Sequence, residues 1–537
     1  MFAMNVYNTH IKHSKKNVYK KLTKRGDKMA KQYDVVVIGA GNGGLVAAAT
    51  CAKAGLSTLL LEKHNIPGGC ATSFRRGRFE FEVSLHELCD VGPENDPGNV
   101  RNLMNGLDAQ IQWISVPDAF RSIVPGKDGY DVTMPVGRKN FIEKMESYVP
   151  GSRQSMTDFF SLADDTRRAL DYTASCGGKA DPAVMKRDYP NFLKTGPYPM
   201  NKILKALKMP KKAQDILLTY WGYLGVDGDT ASFALYSRML DLYLERSPYI
   251  AKDRSHELSL ALEQCVRKFG GDCWYNTEVT RILTEDGKVS GVEAGGKVIP
   301  CKHVIANVIP HVVYARMMDE SVIPAAEIRK ANARQFGCRG LVAYLGLNKS
   351  AEELGIKDYT IFLSEYADSV KTRNTMNKIE TNNMQATNCL NIVNPDASPK
   401  GTSIVYITSL YTEDAWSGIT PANYFKTKNK VIRHFIDGFE KGTGIKISDC
   451  IEEAEMSTPV TFARYIGTPQ GTIYGYMASE WDGMLQRLQT MYTENTVPGL
   501  RFCGGHSVRT LGYGSSYLSG ELAAKLTMGD MKGGSAS

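Results

Sequence analysis

Long apolar runs are what this sequence most plainly lacks. Nothing in it approaches the ~18 consecutive apolar residues of a membrane-spanning helix, so only peripheral attachment to a membrane stays open. Paired cysteines are missing too. The eleven cysteines run from Cys51 to Cys503 without a single C-x-x-C, which excludes a disulfide framework and a zinc ribbon and suits a reducing, cytoplasmic setting. The nine histidines contain no H-E-x-x-H or related spacing, and no metal is expected. Excess charge is absent from the body of the chain. Residues 1–31 hold nine Lys or Arg against Asp27 alone, which accounts for the whole net charge of +8. A neutral body has no basic face for a phosphate backbone, so a nucleic-acid partner is not expected. The basic head has no apolar core of a secretory signal. It reads as a disordered tail, a weak surface tether, or residues upstream of a start at Met29.

What is present fits a soluble globular chain of two or three domains, with 537 residues, 42% hydrophobic and 23% charged. "YDVVVIGAG" is a buried parallel-strand pattern, β-branched and without polar alternation. A helix follows from about Gly43 to Ala54, ended by Gly55, and "STLLLEK" is a second strand. Together they form one βαβ unit. Residues 258–307 read as a helix ending at Gly270–Gly271, two hairpins turning at Asp286–Gly287 and Gly295–Gly296, and a returning buried strand "HVIANV". The C-terminal "GLRFCGGHSVRTLGYGSSYLSGELAAKL" repeats the opening order of strand, glycine-rich loop and helix. Between these pieces, 108–254 is mainly helical, and 316–490 mixes helices with strands such as "GLVAYLGL" and "TSIVYITSL". The division predicted is a basic tail (1–32), a discontinuous nucleotide domain (33–107, 255–315, 495–530), a substrate domain in two segments (108–254, mainly helical; 316–494, mixed sheet), and a short tail (531–537).

Gly39-Ala40-Gly41-Asn42-Gly43-Gly44 is a G-x-G-x-x-G directly after a strand and opening a helix. Gly39 permits the turn, Gly41 lets backbone approach a pyrophosphate, and Gly44 permits close helix–strand packing. The helix start offers free N–H groups and a positive dipole end to phosphates. Glu62 ends the second strand, where a carboxylate accepts hydrogen bonds from ribose hydroxyls. The chain then enters a Pro67-Gly68-Gly69 loop rather than a further helix. Adjacent glycines let backbone lie against a flat ring system.

From "EKHNIPGGCATSFRRGRFEFE" onward the sequence resembles the flavoprotein group of phytoene desaturases, carotenoid isomerases and retinol saturases. "WGYLG" (221–225), "NPDASPKGTSIVYI" (394–407), "ARYIGTPQGTIYGY" (463–476) and the C-terminal block look like further landmarks in order, from Tyr33 to Met528. The resemblance implies an α/β fold, a discontinuous Rossmann-type FAD-binding domain with an inserted α+β substrate domain. It implies FAD held by Gly39, Gly41, Asn42, Gly43, Gly44, Glu62, Lys63, Gly68, Gly69, Ala71, Thr72, Val279, Gly504, Gly505, Gly514, Ser515 and Ser516. The C-terminal helix would point its positive end at the flavin N1–C2 carbonyl edge, favouring the anionic reduced ring. The alternative is a plain docking helix packed through Leu518, Leu522 and Leu526. One departure stands out: "CGGHS" puts Gly505 and His506 where the group has an acidic residue near the ribityl chain or pyrophosphate.

His86 and Glu87, in a strand-like "EVSLHEL", and His506 and Tyr513, in the flavin-facing loop, are the catalytic candidates. Arg75, Arg76 and Arg78 would either grip a carboxylate head group or sit in a solvated charged loop. Residues 201–225 alternate lysines with apolar residues. They read as a surface helix with its apolar side on the core or as a peripheral membrane contact. The resemblance implies an oxidoreductase acting on C=C bonds of a long apolar unsaturated substrate such as a carotenoid, retinoid or other polyene lipid, by desaturation, saturation or flavin-assisted isomerisation. The electron partner is not identified. The rivals are an amine oxidase, which would need an aromatic pair framing the flavin, and a non-catalytic flavin- or lipid-binding protein.

Overall fold

The computed structural model describes residues 31–127, 129–412, 415–478, 481–492, 497–505 and 512–533. The basic head up to residue 30 and the last four residues lie outside that set. Among the described residues no helix is long and apolar enough to cross a membrane.

The chain folds around two seven-stranded sheets. In the first, Tyr33–Ile38 lies between Thr58–Leu61 and Lys297–Ala306, parallel to both. Asp272–Trp274 continues the sheet beside Thr58–Leu61, and Leu500–Phe502 adds to the far side of Lys297–Ala306, again parallel. Val35, Val36 and Val37 are wholly buried, as a strand covered on both faces requires. Both predicted hairpins form. Asp286 and Gly287 (φ 49° and 74°) and Gly295 and Gly296 (φ 55° and 73°) all take left-handed backbone, the twist that matches tight antiparallel turns. Lys297–Ala306 is long enough to pair antiparallel through its first half and parallel through its second.

The second sheet runs Ile451–Ser457, Arg339–Leu347, Ser403–Tyr411, Gln385–Cys389, Thr360–Leu363, Asp118–Val124 and Tyr130–Pro135. It is mixed, because Thr360–Leu363 pairs parallel with Asp118–Val124. The segment 108–254 therefore supplies two strands to this sheet as well as its helices. The fold is an α/β Rossmann-like nucleotide domain joined to a second, mixed-sheet unit.

Two local expectations are corrected. The "EVSLHEL" segment is not a strand. Phe79–Glu82 pairs with Ser73–Arg76 and stops, because the buried Glu82 carboxylate accepts the Ser84 and Leu85 N–H groups and the Ser255 hydroxyl and turns the chain away. The C-terminal helix, Tyr513–Met531, does not bury a leucine stripe. Its buried face is Ser516, Tyr517, Ser519, Gly520, Ala523, Ala524 and Thr527. Small residues let it lie directly on the first helix, Asn42–Lys53, where a Cβ added at Gly520 would stand 2.1 Å from the Gly43 carbonyl oxygen.

Candidate active site

The two strand–loop–helix units from opposite ends of the chain meet. Leu500–Phe502 lies two places from Tyr33–Ile38 in the sheet, and both following helices begin at the same cavity. Four glycines make that contact possible. A Cβ at Gly44 would stand 1.9 Å from the Gly39 carbonyl oxygen, one at Gly43 2.6 Å from the Gly504 nitrogen, and one at Gly504 1.9 Å from Asn307 Oδ1. Gly39 and Gly504 also hold φ near +90°, where side chains are strained.

The cavity between the sheets has a volume of about 810 Å³. Its nucleotide end is lined by Gly39, Gly41, Asn42, Gly43, Glu62, Lys63 and Val279. The Glu62 carboxylate accepts the Ala40 N–H at 2.6 Å and the His64 N–H at 2.9 Å, so the acid is fixed at the strand end, as a ribose-binding carboxylate must be. Gly68 donates its N–H to Ala40 at 2.7 Å, which lays the second glycine loop beside the first. Gly68, Gly69 and Cys70 line the middle, opposite Gly505, Tyr513, Gly514, Ser515 and Ser516. Asn42 Oδ1 is buried and has no hydrogen-bond partner, an acceptor left free beside the cradle. The residues present fit a dinucleotide.

Of the residues expected to hold the cofactor, Gly44 and Gly504 shape the cradle from behind rather than line the cavity. Ala71 and Thr72 do not line it either. Ala71 is wholly buried with its carbonyl accepting the Ser259 hydroxyl, and Thr72 faces His256 at 3.3 Å. His506 lies outside the described residues. The arginines form no carboxylate grip. Arg75 pairs with Glu80 within the exposed hairpin, and Arg76 and Arg78 pair with Glu455 and Glu452 of the strand Ile451–Ser457. In 201–225 the apolar residues Ile203, Leu204, Met209, Ile216 and Leu217 are buried in the chain's own core while the lysines face outward.

His86 and Glu87 both line the cavity, and here the structure adds partners that sequence reasoning missed. His86 Nδ1 is 3.2 Å from the Tyr223 hydroxyl, and its Nε2 is 2.7 Å from Thr408 Oγ1. Tyr223 also donates to Glu87 Oε1 at 2.6 Å, and Thr360 donates to Oε2 at 3.0 Å. Burial lowers the His86 pKa to about 3, so the ring is neutral at physiological pH. Burial raises the Glu87 pKa to about 7, against the opposing pull of the Tyr223, Thr360 and Asn388 donors. Tyr513 stands 2.9 Å from the Ser84 hydroxyl, and burial holds its phenol well above the usual range. Tyr223 lay within the "WGYLG" landmark. Thr408 was signalled only by a polar residue inside an apolar strand, and Asn307 only by its place at a strand end. Beyond this cluster the wall is mainly apolar, with Leu235, Met239, Leu242, Ile473 and Leu488, and it also carries Arg238, Arg316 and Arg487.

Comparison with known proteins agrees with this architecture. Residues 37–107 match the NAD(P)-binding Rossmann-like domain family. All-trans-retinol 13,14-reductase of Danio rerio is 23% identical over 489 residues, covering 85% of this chain and 80% of that protein. Prolycopene isomerase 2 of an Oncidium hybrid cultivar is 22% identical over 469 residues, covering 83% of this chain and 76% of its own length. Among solved structures, an oxidoreductase from Methanosarcina mazei matches with a TM-score of 0.61 at 16% identity, over 94% of this chain and all of its own; at that identity the match concerns the fold alone. The chain is a distant homologue of the all-trans-retinol 13,14-reductases and prolycopene isomerases.

Proposed function

We propose that this protein is an FAD-dependent oxidoreductase acting on carbon–carbon double bonds of a long, apolar, unsaturated small molecule such as a carotenoid, retinoid or other polyene lipid. One observation carries the reading. A single cavity runs from the Glu62 carboxylate, past the Gly68–Cys70 loop, to the apolar wall of Leu235, Met239 and Ile473. A dinucleotide and a hydrophobic chain would thus lie end to end in one shared cavity, where the bound chain would displace water from the reacting carbons.

FAD would be held by Gly39, Gly41, Asn42, Gly43, Glu62, Lys63, Gly68, Gly69, Val279, Gly505, Gly514, Ser515 and Ser516; when bound it supplies hydride exchange. The chain's own residues then orient the polyene along the apolar wall. They keep the site dry and offer the His86–Glu87 cluster and Tyr513 for proton handling. In this reading residues 33–107, 255–315 and 495–530 form the FAD-binding domain, and 108–254 with 316–494 the substrate domain.

Purified protein should carry the visible absorbance of oxidised flavin. After anaerobic photoreduction, adding all-trans-retinol or a cis-carotene should restore that absorbance or isomerise the polyene. Protein that purifies without flavin and takes up none on reconstitution would defeat the reading. So would reduced flavin that no polyene consumes, or oxidised flavin that a primary amine reduces instead.

A further inference from the structure

Glu87 is a buried carboxyl without a counterion. Facing it are His86 from its own segment, Tyr220 and Tyr223 from the turn Thr219–Tyr223, and Tyr243 from the helix Phe233–Glu245. Thr360, Asn388, Tyr359 and Tyr406 face it from the second sheet. Among the described residues no Lys or Arg pairs with it. A carboxyl in such surroundings holds its proton near neutral pH.

The Tyr223 hydroxyl joins this acid to the cavity. Its oxygen lies 2.6 Å from Glu87 Oε1 and 3.2 Å from His86 Nδ1, and Tyr223, His86, Glu87 and Thr408 all line the cavity. The ring is held among Tyr220, Tyr243 and Phe362, with centroids 5.1, 5.8 and 5.3 Å away. One tautomer of His86 gives these contacts a direction of transfer. If Thr408 donates to His86 Nε2 at 2.7 Å, Nδ1 carries the imidazole proton and donates to the Tyr223 oxygen. Tyr223 donates to Glu87 while the acid is a carboxylate; once Glu87 carries a proton, it donates to the Tyr223 oxygen in turn. With both of its acceptor positions filled, the phenol has its own proton free for the cavity, and the two donors stabilise the phenolate that forms as the proton leaves.

We infer that Tyr223 is the proton-delivering residue of this site and that Glu87 recharges it. The inference rests on the proposed action on double bonds. Saturation would place a hydride on one carbon, the chemistry FAD would supply when bound, while the π pair passes to the other carbon. There it takes the Tyr223 proton, so one O–H bond breaks and one C–H bond forms. Tyr223 regains a proton from Glu87, which ends as a carboxylate and is reprotonated from water. Desaturation runs the same path backward, with Glu87 as the final base. Redox-neutral isomerisation gives the proton and takes it back.

Tyr223→Phe and Glu87→Gln in the FAD-loaded protein test this. Infrared difference spectra across pH 5 to 9 should show a protonated-carboxyl band titrating near 7 in the wild type. It should be absent from Glu87→Gln and shifted to higher pH in Tyr223→Phe, which lacks a donor to the carboxylate. Single-turnover reoxidation of photoreduced protein by all-trans-retinol should slow above pH 7 and show a solvent deuterium effect. Tyr223→Phe should lose both features and react 10²–10⁴-fold more slowly, while retinol quenching of protein fluorescence gives an unchanged affinity. A Tyr223→Phe variant as fast as wild type, or a carboxyl band that does not titrate in this range, overturns the inference alone. Wild-type reduced flavin that no polyene reoxidises overturns the parent reading, and the delivery step with it.

Discussion

The meeting of the two chain ends can be tested with two alanine substitutions in one helix. Gly520 and Gly529 both lie in Tyr513–Met531, so Ala at either gains about 1 kcal/mol of helix propensity. Their surroundings are opposite. A Cβ at Gly529 meets nothing within 4 Å, whereas one at Gly520 falls 2.1 Å from the Gly43 carbonyl oxygen, 2.9 Å from its carbon and 3.0 Å from its Cα. The obstacle is backbone at the start of the helix Asn42–Lys53, and it cannot rotate away. The two helices must part by on the order of 1 Å, and overpacking of that kind costs about 1–3 kcal/mol. Gly529→Ala should therefore raise the unfolding temperature. Gly520→Ala should lower it, and it should also weaken FAD binding, because the displaced Gly43 borders the cavity. Thermal unfolding with and without added FAD reads both effects, since a ligand that binds only the folded state raises the transition by mass action. If the two variants unfold alike and bind FAD alike, the helices do not touch at Gly43 and the cradle described here is wrong.

Glu62→Gln should weaken FAD binding about 10- to 100-fold, measured by equilibrium dialysis. The amide has one acceptor oxygen where the carboxylate uses two, on Ala40 and His64, and a lost charged hydrogen bond costs about 1.5–3 kcal/mol. Unchanged affinity would remove Glu62 from the ribose. Glu87 makes stability pH-dependent: its pKa rises from 4.5 to about 7 on folding, so the native state binds this proton more tightly than the unfolded chain. The penalty is absent below pH 4.5, grows to about 3 kcal/mol as pH climbs through 7, and then levels off. Urea unfolding at pH 5 and pH 8 should show Glu87→Gln gaining over wild type only at the higher pH. Part of the slope will remain, because burial raises Glu82 in the same direction. A Glu87→Gln gain equal at both values would mean that the carboxyl is ionised throughout.

The parts legible in sequence were those whose physics is local. "VVVIGAG" announces a buried strand and a turn within seven residues, and Asp286–Gly287 marks a tight hairpin, because two consecutive positive φ angles need such residues. The return of residues 499–526 was legible because it repeats the opening pattern. The alternative reading of its helix, a leucine packing stripe, does not form, since periodicity finds an apolar stripe but not the height of the neighbouring backbone. Here that backbone stands so close at Gly520 that no side chain fits there, and Ala523 and Ala524 follow on the same buried face. The polar cluster was illegible for a related reason. His86 reaches Tyr223 across 137 positions and Thr408 across 322, and neither partner carries a spacing that distinguishes it from an ordinary core residue. His86 and Glu87 could be singled out as titratable groups after a glycine loop. Their protonation states could not, because what sets them is desolvation by elements hundreds of residues away. A neutral imidazole and a proton-bearing carboxyl side by side thus follow from the packing of two sheets against one loop, and the chemistry open to the site depends on that packing more than on the two residues themselves.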